Sequence, residues 1–314
     1  MTTITWHRPL IALAALMAVL AVAISAAAIF DPREVLGANL WFKPLKFALS
    51  IGIYALTLAW LIGQLHTLRR AAWIAGTVSA IGLAIEMVII VVFAAIGETS
   101  HFNVATPLHT VMWSVMASSI VVVWLMVLVV AVALFRSPGA DAARTLAIRS
   151  GVLLAIVGMG LAFLMTSPTS AQLSDFQGVA GAHAVGIADG GPGLPILGWS
   201  TVAGDLRVPH FIGMHALQIL PLLVLGLELV ARRLPAMSAH LRHQLVRIAV
   251  PTFAATLVLL TWQALAGQSV VRPEGAVLWV GMLIAVAALE AVAFTVWPLV
   301  TRSRAASRAA ATLT

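Results

Sequence analysis

The chain has 314 residues, of which 61% are hydrophobic and only 9% charged, and its mean hydropathy is +1.05. A soluble domain of that composition would expose more apolar surface than water tolerates, so the composition excludes one. The net charge of +7 calls for no nucleic acid, because Arg and Lys at span ends facing an anionic bilayer account for it.

Eight segments reach the about 20 apolar residues that a spanning helix needs: 10–30, 41–65, 71–96, 107–135, 146–165, 208–230, 244–265 and 276–300. Their continuous Leu, Ile, Val and Ala runs lack the alternation of a barrel strand, and backbone in lipid must be paired within its own segment. The expected fold is therefore all-α, a polytopic integral membrane protein with about eight transmembrane helices forming one domain over 1–314. An even number of spans puts both termini on one side. All but five of the 18 Lys and Arg residues flank that side, the exceptions being Arg33, Lys43, Lys46, Arg207 and Arg272. By the positive-inside rule that side is cytoplasmic, as in a bacterial-type inner membrane, and the polar side chains gathered near the other side should open outward.

The first span follows His7 and Arg8 and ends at Ala26-Ala27-Ala28, a pattern shared with signal peptides. Its apolar run of about 20 residues exceeds the usual hydrophobic region, which favours an uncleaved helix. The second span opens with Trp41-Phe42-Lys43-Pro44-Leu45-Lys46-Phe47. Pro44 suits a first helical position, and spacing by three puts Lys43 and Lys46 on one side. Snorkelling toward headgroups is the ordinary reading of such lysines. The alternatives are an anion contact or a pair with Glu86.

Glu86 falls near the bilayer middle, roughly 16 Å from the outer end of the third span at a rise of about 1.5 Å per residue. A charged carboxylate there must be protonated, paired or wetted. Ser79 and Gly82 share its face, which turns that face toward neighbouring helices. The bland alternative is a protonated Glu bonded to a backbone carbonyl.

His101-Phe102 precedes the fourth span, and Thr106-Pro107 forms a cap with His109 one turn below the surface. The stretch 166–207 is a long extracytoplasmic loop. Its first half is polar and Gly-rich, suiting a mobile linker; its second half carries Leu194, Ile196, Leu197 and Trp199 among turn residues, suiting a lid. Asp205 and Arg207 then stand at the mouth of the sixth span as N-cap and cation. His210 and His215 lie in that span about 140° apart, with Gln218 on the face of His215 and Pro221 below. The paired histidines before the fourth and sixth spans form a faint echo, too short to count as a repeat.

Other polar residues read as structural. Glu228 should meet Arg232 one turn on, and His66, His240 and His243 sit in inner turns. Glu290 is deep in the eighth span without an evident partner. The tail 302–314 is basic and suits a disordered or interfacial end. With no cysteine, any metal or haem would rest on His, Met or carboxylate.

Three functions fit these residues. One is haem- or quinol-linked redox chemistry, with His109 and His215 as axial ligands of a haem b and Lys43, Lys46 or Arg207 on its propionates. The second is a proton-coupled carrier for a small solute or anion, with Glu86 as the switch. No inverted repeat or Gly/Pro-broken helix pair is evident for it. The third is a membrane enzyme on a lipid or periplasmic substrate, in which a histidine serves as base or metal ligand; no HExxH or GxSxG motif supports it. His101, His210, Asp205, Gln218 and Glu290 complete the candidate set.

Overall fold

The computed structural model describes residues 5–139 and 141–311, with side chains through residue 297. Its helices are α1 (Arg8–Phe30), α2 (Phe42–Gly63), α3 (Arg69–Ile96), α4 (Pro107–Arg136), α5 (Ala142–Gly160), α6 (Ser170–Ser174), α7 (Arg207–Met214), α8 (Ala216–Ala231), α9 (Ala239–Leu265) and α10 (Gly275–Ala311). Two short antiparallel pairs accompany them, β1 (Glu34–Val35) with β2 (Ala38–Asn39) and β3 (Ala184–Val185) with β4 (Gly204–Asp205). Among the described residues seven helices are long and apolar enough to cross a membrane, and the bent pair α7–α8 makes an eighth. The protein is an all-α, multi-pass membrane protein.

Short-range chemistry sets the helix ends. The side chains of His7, Thr106, Asp141 and Ser238 each accept a backbone N–H from the first turn of α1, α4, α5 and α9. Gly97 ends α3 in the left-handed region at φ 82°, which lets Glu98 N–H bond back to the Phe93 carbonyl at 2.9 Å. Pro44 is the third residue of α2, not the first. It still costs nothing there, because the first four amides of a helix have no partner within it.

The helices close into a ring. α2 packs on α3, α3 on α4, α4 on α5 and α5 on α8, and α8 returns to α2. Leu58, Leu61, Met87, Val127 and Val130 are fully or almost fully enclosed within it. α1 leans on α2 and α3 from outside, α9 covers α5, α7 and α8, and α10 packs on α9. Association in lipid depends on close contact rather than on expelling water, so small residues mark the joints. Gly158 of α5 meets the backbone of Gly213 in α7, where a Cβ on either would overlap the other chain.

The sixth span departs from the expected continuous helix. It breaks between Met214 and Ala216 with a bend of 44° at His215. Pro221 gives the lower half no amide for the carbonyl one turn earlier, and the glycines of α5 hold both halves: Gly158 under Gly213, and Gly151 under the Ala216 carbonyl. A Gly/Pro-broken span is thus present, contrary to the reading of the sequence.

The two ends of the bundle differ. Arg8, Arg69, Arg70, Arg136, Arg144, Arg149, Arg232, Arg233, Arg242 and Arg247 lie at the basic end, where connections are short. Glu228 meets Arg144 of α5 at 2.6 Å there, not Arg232, because α5 and α8 pack face to face. At the opposite end, here termed the cap, the segment 166–206 is bonded along both halves. Thr169 and Gln172 form a capping box on α6, Val104 N–H donates to the Gly178 carbonyl, and Ala180 N–H donates to the Phe102 carbonyl. The first half is therefore tied to the α3–α4 connection and is not a free linker. The helix of α10 continues to Ala311 through most of the basic tail; residues 312–314 and the tail's side chains lie outside the described residues.

Candidate functional site

Directly beneath the cap, polar groups from α2, α3, α7 and two connections come together. Glu86 is 5% exposed, about 15 Å below Ile96 along α3. Among the described residues its carboxyl makes no hydrogen bond; His101 Nε2 lies 3.8 Å from it and Lys43 is within electrostatic reach. His101 descends from the α3–α4 connection and is walled by Phe47, Trp113 and Phe102, with ring centroids 5.5, 5.4 and 6.1 Å away. Burial, with Lys43, His183 and His210 adding to it, holds its imidazole well below the ordinary histidine range. Burial therefore favours the uncharged form of His101 beside Glu86.

Among the described residues Lys43 has no hydrogen bond, and it lies within electrostatic reach of Lys46, Glu86, Arg207 and Asp189. Lys46 donates from Nζ to the Leu197 carbonyl at 2.6 Å, and Arg207 Nη2 donates to the Gly198 carbonyl at 2.5 Å. Both cations thus hold the turn at 194–199, whose Ile196 sits in the left-handed region at φ 62°. The Arg207 guanidinium is further committed to Asp205 through Nε at 2.9 Å and Nη2 at 2.6 Å. Asp205 also accepts the Ser200 and Arg207 amides, so it is a hub of the cap rather than the N-cap of α7, a position held by Leu206.

His183 and Asp189 were not read from the sequence as a pair. His183 Nδ1 donates to Asp189 at 2.5 Å, and the amides of His183 and Ala184 donate to the same carboxylate. Burial alone would raise the Asp189 carboxyl, but these hydrogen bonds outweigh it and hold it at about 2. Burial pushes His183 below its ordinary value, and Asp189 draws it part of the way back. The His183 ring rests on Phe102 at 4.9 Å. Phe102 itself sits at φ 61°, an uncommon conformation for a bulky residue, and Gly181 gives it room, since a Cβ there would lie 2.6 Å from the ring.

The other candidates separate. His109 bonds to Glu98 at 2.5 Å and to Thr106 at 2.7 Å, against Phe93. His215 bonds to Gln218 at 3.2 Å at the bend, against Phe211. No contact among the described residues joins His109 to His215, since α4 packs on α3 and α5 while α7 packs on α5 and α9. His210 donates from Nδ1 to the Gly158 carbonyl at 2.8 Å and lies within electrostatic reach of His101, His183 and His215. Glu290 is exposed on α10 and joins no cluster. Among the described residues no three His, Asp or Glu side chains are arranged to hold a metal ion.

Compared with protein-family models, with curated proteins and with solved structures, the chain matches none. Lys46 and Arg207 beside the cap turn, Lys43 next to them, and Glu86 with His101 below form a chain of ionisable groups, the kind of set that can attract a small anion and exchange a proton with it.

Proposed function

We propose that the protein is a proton-coupled carrier of a small anionic solute in a bacterial-type inner membrane, with the cap facing outward. The observation that carries this reading is Glu86, a mid-span carboxyl with no hydrogen bond among the described residues, 3.8 Å from His101 and within reach of Lys43. A lone buried charge is costly, so Glu86 gives up its proton only when a cation or a solvated site faces it. The anion is attracted by Lys43, which no protein group occupies, and Lys46 and Arg207 lend charge while they hold the cap. The broken sixth span supports the same reading. Discontinuous helices serve carriers by placing helix ends at the solute, and here the start of α8 carries buried Gln218 and half-buried His215.

The test uses proteoliposomes with a pH-sensitive dye inside and a panel of small monocarboxylates and phosphate outside. At least one anion should move the internal pH in wild type and not in Glu86→Gln or Lys43→Met. Equal responses in all three proteins would remove the reading.

A quinol-linked role is favoured by one observation, the wall of Phe47, Phe102 and Trp113 around His101, which suits a planar ring above a carboxylate–imidazole pair. Quinone bound to the purified protein and released by His101→Ala would favour it over carriage. A haem b on His109 and His215 gains no support from their separate settings.

A further inference from the structure

Below the site, the α2–α3 seam contains two hydroxyls, those of Tyr54 and Ser79, that neither anion binding nor helix capping explains. Tyr54 lies two turns beneath Phe47 on α2, and Ser79 lies two turns beneath Glu86 on α3, so the two meet at one level about 10 Å deeper. Their hydroxyls face each other, 5% and 0% exposed as residues, near enough to interact though short of good hydrogen-bonding geometry, and among the described residues neither has any other partner. Buried polar atoms without partners are uncommon, and those in native proteins recruit water or take part in function. A further turn toward the basic end, Gly76 makes room for the buried His7 ring, since a Cβ there would lie 3.1 Å from its Nε2. His7 donates from Nε2 to the Trp73 carbonyl at 2.9 Å and accepts the Leu10 amide at Nδ1. A carbonyl only accepts, so Nε2 bears the proton.

We infer that Tyr54, Ser79 and His7 form a proton path joining Glu86 to the basic face, so that the site is reached by protons from both sides of the membrane. The inference rests on Glu86 being the proton-exchanging group of the carrier. The residues occupy one stripe of α3, Gly76, Ser79, Leu83 and Glu86, at helical spacing. In the direction of the cap, basic-face water first protonates His7 at Nδ1 as the Leu10 N–H releases it, and the imidazolium so formed gives its Nε2 proton to the Thr77 hydroxyl 3.3 Å away and on toward Ser79. Each hydroxyl accepts one proton as it passes on its own, water recruited by the two hydroxyls spans the remaining distance, and the Glu86 carboxylate is the acceptor. Only O–H and N–H bonds change, and the reverse sequence returns the proton.

The experiment pairs two readouts on the full chain in proteoliposomes. Infrared difference spectra follow the carboxylic C=O band of Glu86 after an acid pulse, and an internal dye follows protons that cross. The Tyr54→Phe/Ser79→Ala double variant should keep the Glu86 band while proton crossing slows roughly a hundredfold, the scale of a lost proton-transfer group. Tyr54→Phe alone, which removes one oxygen from a packed ring, should slow crossing in the same sense if the double variant inserts poorly. Crossing at the wild-type rate in these variants overturns the path. So does a wild-type protein whose Glu86 band titrates while no proton crosses, and that result leaves the carrier site standing. Crossing that survives Glu86→Gln, with no band lost, overturns both.

Discussion

The two ends of this bundle handle charge in opposite ways. At the basic end Arg144 meets Glu228, Arg242 meets Asp141, and Arg149 donates to the Phe135 and Ser137 carbonyls that close α4, although the Nε atoms of Arg149 and Arg242 stay buried without a partner among the described residues. At the cap end, residues from α2, α3, α7 and two connections crowd together, and Lys43 and Glu86 are left without hydrogen bonds. Pairwise satisfaction is what stability alone requires. Ionisable groups held without hydrogen bonds under a bonded cover are costly to keep there.

Four changes would break or sharpen that contrast. The largest effect is expected from Gly158→Leu, which forces apart the α5 and α7 backbones that hold the cap-end site together. It should cost about 3 kcal/mol or prevent insertion, measured as loss of a cooperative thermal transition in detergent. Glu86→Gln follows: it should abolish proton-coupled uptake and leave the melting temperature within about 3 °C of wild type, because no hydrogen bond to the protein is lost. A large drop in melting temperature would make Glu86 a structural residue instead.

Acid should open the cap before it disturbs the basic end. The folded Asp189 carboxyl titrates at about 2 against an ordinary 3.8, so its stabilisation of the cap is complete above 3.8 and is lost as pH falls toward 2. His101, held below 6.5, subtracts stability in the same direction, because the unfolded chain takes up its proton first as pH drops below that value. Limited proteolysis within 166–206 should therefore accelerate on acidification, and Asp189→Asn should remove the component below pH 3.8. The smallest effect belongs to the basic end. Arg144→Met should cost about 1 kcal/mol, a modest sum because water already screens a partly exposed pair, and uptake should not change.

The eight spans were legible because composition and length decide them with little help from packing. Depth counting likewise placed Glu86 near mid-span, since rise per residue is fixed once a helix is assigned. Which helices touch is another matter. His109 and His215 are alike in sequence setting, but α5 separates the helices that carry them, and no local pattern states that. The bend at His215 escaped notice because its causes are spread over Gly151, Gly158, Gly213 and Pro221, on two spans that meet only in the folded chain. His183 and Asp189 lie in a Gly-rich stretch that resembles a linker, and their signal is a hydrogen-bonded turn with no periodicity to betray it.

Tyr54 is the chain's one tyrosine, and it stands at the narrow middle of the α2–α3 seam. Replacing tyrosine biosynthetically with a fluorinated analogue would therefore give a single fluorine resonance, free of assignment, from the point where the proposed proton path crosses the seam. A spectrum with one sharp line would describe a closed seam, and a second line that grows with an added anion would count the open population directly.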